Sequence, residues 1–116
     1  MAAMDYADIL SGSQQELRRG TVVLAALLML RRPGYGYALI DRLRDLGLTV
    51  DANTLYPLLR RLESQGVLTS EWNTEESRPR KFYRTSPVGD RLATELLGDW
   101  KRMDASIRSL DLGDPA

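Results

Sequence analysis

Cysteine and histidine are both absent from the 116 residues. Their absence removes disulfides, Cys/His zinc sites, Ser–His and Cys–His nucleophile pairs, and an imidazole that titrates near neutrality. Scattered Asp, Glu and Tyr are left with no spacing that defines acid and base roles, so an enzyme is not expected, nor a metal or cofactor. An excess of charge is also missing. Sixteen basic residues against sixteen acidic ones leave a formal net charge of zero, which argues against indiscriminate coating of nucleic acid. Affinity for a polyanion must then come from local clustering. Long hydrophobic runs are missing too: the longest, Val22 to Leu30, covers nine residues between Arg18-Arg19 and Arg31-Arg32. A bilayer span needs ~20, and no small-residue cleavage site follows the run. The expectation is a cytoplasmic protein with no membrane partner, whose first long helix is buried on most sides.

What is present reads as one small globular domain, with 43% apolar and 28% charged residues. A chain of this size hides only roughly 65% of its unfolded surface, so dimerisation is a natural way to bury more. Ser13-Gln-Gln-Glu16 has the form of a capping box and predicts a helix start at Ser13, preceded by an N-terminal arm over 1–12. That helix stops at Arg32 before Pro33-Gly34. A second helix is predicted over Tyr37–Leu46 and ends at Gly47. A third, capped by Asp51 or Asn53, carries Leu55, Leu58, Leu59 and Leu62 at helical spacing and closes at Gly66, with Pro57 in its opening turns. Then the rhythm changes from 3.6 to 2. Val67–Trp72 and Arg80–Thr85 read as strands of a hairpin with a long polar tip, and Ser86-Pro87 opens a last helix to about Leu110. Residues 111–116 read as a loose tail. The fold class is mainly α with a small β-hairpin (α+β): a winged helix-turn-helix over 13–86 followed by a long dimerisation helix over 87–110.

In that architecture the third helix enters the major groove and the hairpin lies along the backbone or minor groove. On a helical wheel, Leu55, Leu59 and Leu62 define the buried direction. Asn53, Pro57, Arg60 and Ser64 point the other way, with Tyr56 and Arg61 on the flanks. Arginine can fork onto guanine O6 and N7 and asparagine onto adenine, while tyrosine and serine hydroxyls reach phosphates. A solvated helix face with two arginines would look the same, and the hairpin separates the two readings. Arg78-Pro-Arg80-Lys81-Phe-Tyr-Arg84 packs four cations into seven residues without an acid, just beyond Glu71, Glu75 and Glu76. This makes a positive tip on a neutral protein, suited to phosphate capture by counterion release.

The last helix supplies a second feature. Leu92, Leu96, Trp100, Met103, Ile107 and Leu110 recur at coiled-coil spacing. A rod of roughly 36 Å outreaches a domain whose radius of gyration is near ~13 Å, so a second copy is the expected cover. Two-fold pairing would set two recognition helices ~34–36 Å apart and predicts a roughly palindromic operator in double-stranded DNA.

Three stretches also resemble a known family. Gly34-Tyr-Gly-Tyr37-Ala-Leu39, Asn53-Thr-Leu-Tyr56-Pro-Leu-Leu-Arg-Arg61-Leu-Glu-Ser-Gln-Gly66-Val-Leu68 and Arg80-Lys-Phe-Tyr83-Arg-Thr-Ser-Pro-Val-Gly89 are similar to the PadR-like transcriptional regulators, in the same order and over most of the chain. The resemblance implies a dimeric winged-helix repressor whose last helix pairs across the two-fold axis. It also implies that Tyr37 sits near the DNA backbone, that Tyr56 and its neighbours, Thr54 among them, enter the groove, and that Arg80 and Lys81 serve the wing. Similar proteins sense small phenolic or planar hydrophobic compounds, in some cases between the terminal helices. A pair of Trp100 indoles with Met103 beside them could sandwich such an effector; plain interface core accounts for both residues as well. Against a DNA-binding repressor stands one other reading, a winged-helix protein-interaction module that turns the same helix and wing toward an acidic protein.

Overall fold

Among the described residues the chain forms four helices and three short strands. The computed structural model describes residues 4–75 and 77–111. The order is α1 (Tyr6–Met29), β1 (Gly34–Tyr35), α2 (Gly36–Asp45), α3 (Ala52–Ser64), β2 (Leu68–Asn73), β3 (Arg80–Thr85) and α4 (Pro87–Asp111). β3 lies between β1 and β2 in an antiparallel sheet, with Leu68 opposite Thr85, Trp72 opposite Lys81 and Tyr35 opposite Phe82.

The first helix begins seven residues earlier than its capping box predicts. Asp5, in an extended conformation, is the residue before the first turn, and Ser13–Glu16 lies in mid-helix. Nothing in 6–12 breaks a helix, and Tyr6, Ile9 and Leu10 continue its apolar stripe. Glu16 instead faces Arg19 one turn on, at 3.8 Å. The arm expected over 1–12 is therefore, from Tyr6 onward, the first two turns of α1. The short strand β1 also occupies what the sequence marks only as a turn after Pro33. The expected loose tail lies outside the described residues from 112 onward, and Asp111 is still helical.

The other boundaries follow their local chemistry. Gly47 and Gly66 adopt φ of 78° and 79°, which only glycine takes without strain. Each closes its helix with a pair of bonds typical of a Schellman ending: Leu48 N–H to the Leu43 carbonyl at 2.8 Å and Gly47 N–H to Arg44 at 2.9 Å, then Val67 N–H to Leu62 at 3.1 Å and Gly66 N–H to Glu63 at 3.0 Å. Asp51 caps α3, its Oδ1 accepting from the Thr54 amide at 2.8 Å. Pro57 lies in the second turn of α3 and supplies no amide to the Asn53 carbonyl, yet the helix continues through it.

The core is built mainly from leucines: Leu27, Leu43, Leu55 and Leu59 are wholly buried, joined by Leu30, Leu39, Leu62, Leu68 and Ala93. Burying one leucine side chain stabilises by roughly 1.5–3 kcal/mol, so the three leucines along α3 fix which face of that helix turns outward.

One polar joint ties the helices to the hairpin. Thr85 donates its amide to the Leu30 carbonyl at 2.7 Å and its hydroxyl to Leu27 at 2.6 Å, satisfying carbonyls orphaned at the end of α1. Ser86 donates its hydroxyl to the Gly66 carbonyl at 2.6 Å, and the same oxygen accepts from the Gly89 amide at 3.0 Å, capping α4. Pro87 follows as the first residue of that helix. A Cβ on Gly89 would lie 2.0 Å from the Val67 carbonyl oxygen and 2.9 Å from Thr85 Cγ2. There is no room for one.

Two substitutions should therefore act with opposite sign. Gly89→Ala is expected to destabilise by about 1–3 kcal/mol, the usual cost of overpacking, and to lower the thermal midpoint by several degrees. Gly12, inside α1 with open space around the position of a Cβ, should gain roughly 0.5–1 kcal/mol on Gly12→Ala. Urea titrations of the three proteins check both; a Gly12→Ala protein no more stable than its parent would return 6–12 to a frayed arm.

Candidate nucleic-acid interface

With Leu55, Leu59 and Leu62 facing inward, Asn53, Thr54, Pro57, Arg60, Arg61 and Ser64 are all exposed. Tyr56 is half-buried. Its ring lies so close to the start of α2 that a Cβ on Gly36 would be 2.5 Å from Tyr56 Cε1. Glycine at 36 thus permits the close approach of α2 to α3 and holds the tyrosine at the rim of a cleft between α3 and the wing.

That cleft, of about 500 Å³, is lined by Tyr35, Gly36, Tyr37, Tyr56, Trp72, Arg78, Arg80, Lys81 and Tyr83. It brings together five of the residues expected from the sequence, namely Tyr37, Tyr56, Arg78, Arg80 and Lys81. Arg80 is held in place before any ligand arrives. Its guanidinium lies 5.3 Å from the Tyr37 ring centroid and 6.0 Å from that of Tyr35, and its Nη1 donates to the Tyr37 hydroxyl at 2.6 Å. The two tyrosine rings stack at 5.7 Å and 10°. Tyr35 is fixed in turn by the Asn73 side-chain amide, which donates to its hydroxyl at 2.8 Å, and by edge contact with Phe82. Because the Tyr37 oxygen accepts from Arg80, its own hydrogen remains a donor that can point out of the cleft.

Lys81 is held by an acid of α3. Its Nζ lies 3.1 Å from Glu63 Oε1 and 5.3 Å from the Tyr83 ring centroid. Glu63 also accepts a hydrogen bond from Ser70 Oγ. The Ser70 hydroxyl, above all, holds the Glu63 carboxyl below its ordinary value; burial opposes it as the next largest effect, and the hydrogen bond and charge of Lys81 add to the lowering. The pair clamps the wing to α3, and much of the Lys81 charge is spent inside the protein.

The sequence reading did not single out Tyr35, Trp72, Gly36 or Glu63. Tyr35 and Gly36 lie in the Gly34-Tyr-Gly-Tyr motif, but the stacking that gives them a role depends on β1 pairing with β3. Glu63 and Lys81 are brought together only by the sheet.

The apolar seam of α4 divides in two. Leu92 and Leu96 pack partly buried against the core of their own domain. Trp100, Met103, Ile107 and Leu110 are 40–63% exposed. Tyr6, Ile9, Leu10 and Leu17 of α1 are also exposed. Between α1 and α4 runs a groove of about 1060 Å³ whose apolar lining includes Leu17, Leu24, Leu96, Trp100, Met103 and Ile107. Among the described residues no group of acids could hold a metal ion, and no helix is long and apolar enough to cross a membrane.

Comparison with known proteins shows the family and the fold. Residues 23–95 match the model of the transcriptional regulator PadR-like family. The fold superposes on the crystal structure of a PadR family transcriptional regulator from Eggerthella lenta with a TM-score of 0.85, at 49% identity, covering 97% of this chain and 100% of that one. A PadR-like transcription factor from Bacteroides fragilis gives 0.70 at 30% identity over 85% of this chain and 98% of that one. A transcriptional regulator of Mycobacterium tuberculosis is 41% identical over 61 residues, 53% of this chain; the match spans 57% of that protein's length. On the family match and these two structures, the chain belongs to the PadR-like family of transcriptional regulators.

Proposed function

We propose that this regulator is a homodimeric repressor that binds a roughly palindromic operator in double-stranded DNA, reading base edges with α3 and holding the backbone with the wing. One observation carries the reading: Tyr37, Tyr56, Arg78, Arg80 and Lys81 converge on one cleft beside the outward face of α3 that bears Asn53, Arg60 and Ser64. Arg60 suits the groove floor, where a guanidinium can fork onto guanine. Arg61 and Thr54 lie on the flank away from the wing and suit phosphates on that side. Arg78 and Arg80 suit the backbone beside the wing, and the preset position of Arg80 lowers the entropy cost of using it.

Pairing of two copies is supported by the exposed half of the α4 seam together with the exposed stripe of α1, which no part of the described chain covers. A second protomer laid across the axis buries both and places the two α3 helices one DNA turn apart. In that dimer the groove beside Trp100 and Met103 becomes an enclosed apolar space. It suits a small planar hydrophobic effector stacked on the indoles, whose entry would change the pairing and release the operator.

In gel-shift titrations with a duplex from the region upstream of its own gene, Arg60→Ala should cost ~1–3 kcal/mol and relax base preference, whereas Arg80→Ala should weaken all sequences alike and flatten the salt slope by about one. No shift of the parent protein at low salt would remove the DNA reading. Ile107→Asp should sediment as a monomer at micromolar concentration while keeping its helical content; a persisting dimer would move the pairing surface elsewhere. Glu63→Gln should release Lys81 for phosphate, raising affinity and steepening the salt slope by about one. Because the Glu63 carboxyl is held low, the parent should behave like the Gln variant only as pH falls through and below the ordinary carboxylate range, and affinities measured across that range check the sign.

A further inference from the structure

Trp72 is the last residue but one of β2. It lies opposite Lys81 in the hairpin, on the same face of the sheet as Leu68 and Tyr83. Those two are 1% and 4% exposed, whereas Trp72 is 62% exposed. A large apolar side chain on an inner face is normally covered. Here α3 meets the sheet at Ser70, through Glu63, and beyond that point the cleft opens between Trp72 and Tyr56.

The surroundings of the indole define what could cover it. Among the described residues the cleft is lined by Arg78, Arg80 and Lys81 and by aromatic rings, with no carboxylate in the lining. The matching partner carries repeated negative charge and, between the charges, ring-shaped surfaces of low polarity. Deoxyribose alternating with phosphate has that form, with a spacing short enough for one ring and its two flanking phosphates to meet one indole and the cations beside it. Acidic side chains of a protein supply the charge, but not rings and charges alternating at one fixed backbone spacing.

We propose that Trp72 is a DNA-contact residue: its indole packs against a deoxyribose of the strand that passes between wing and α3, while Arg78 and Arg80 take the adjacent phosphates. The inference rests on the DNA-binding reading and assigns that site a neutral, shape-reading contact distinct from its charged ones. Such a contact contributes affinity without displacing counterions, so its signature differs from that of an arginine.

The chain has two tryptophans, so Trp100→Phe leaves Trp72 as the only indole. Saturating this variant with the upstream duplex should change its emission and reduce quenching by acrylamide at least twofold. Trp72→Ala should bind the same duplex about tenfold more weakly with an unchanged salt slope and an unchanged thermal midpoint, and Trp72→Phe should stay within threefold of the parent. If gel shifts show Trp100→Phe bound while its indole stays as open to acrylamide as before, or if Trp72→Ala binds within twofold of the parent, the proposal is overturned and DNA binding still stands. Failure of every variant and of the parent to shift the duplex would instead overturn the DNA reading, and this contact with it.

Discussion

The fold depends on the contact in which the backbone at Val67 lies against Gly89 with no space for a Cβ between them. Three elements with different tasks meet there: the end of α3, the base of the hairpin and the first turn of α4. Thr85 and Ser86 supply the polar half of the joint, giving hydrogens to carbonyls that the ends of α1 and α3 leave without helical partners. Each such carbonyl, left buried and unpaired, would cost about 1–3 kcal/mol. The joint is therefore specific as well as tight. It sets the angle between α3 and the wing, and so the width of the cleft that both line.

Within that frame, charge is distributed by pairing rather than by count. The chain is neutral, yet its cations are not equivalent. Arg31 meets Asp90 at 2.5 Å across the joint, and Arg44, Arg102 and Arg108 have acids one turn away on their own helices. Lys81 is spent on Glu63. Arg60, Arg61 and Arg78 are turned outward on α3 and the wing, and Arg80 lies over two tyrosine rings. A neutral protein can thus carry local clusters of basic side chains, as on the outward side of α3 and the wing.

Much of this was legible in the sequence because the signals were local. Glycines past the ends of α2 and α3, an aspartate before α3, the Ser-Pro pair before α4 and leucines at helical spacing each act within a turn or two, and each does what its chemistry predicts. The start of α1 was misplaced for the same reason. Ser13 and Glu16 have the spacing of a cap, but a cap forms only where the preceding residues leave the helix, and 6–12 do not. β1 is too short to show a period of two and exists only because β3 is beside it. The Glu63 clamp and the Tyr35 stack join residues far apart in the chain, so no window of sequence contains them. For α4, spacing revealed an apolar seam but not whose surface covers it: its first half belongs to its own core, and its second half is left exposed.

The zero clearance at Gly89 has a mechanical consequence. α4, 25 residues long from Pro87 to Asp111, has no interior proline at which to bend, and its root lies against the floor of the hairpin. A swivel there presses on that contact, so a tilt of the far end is felt at the hairpin and at the end of α3, and a rotation of a few degrees at the root moves the tip of a rod this long by ångströms.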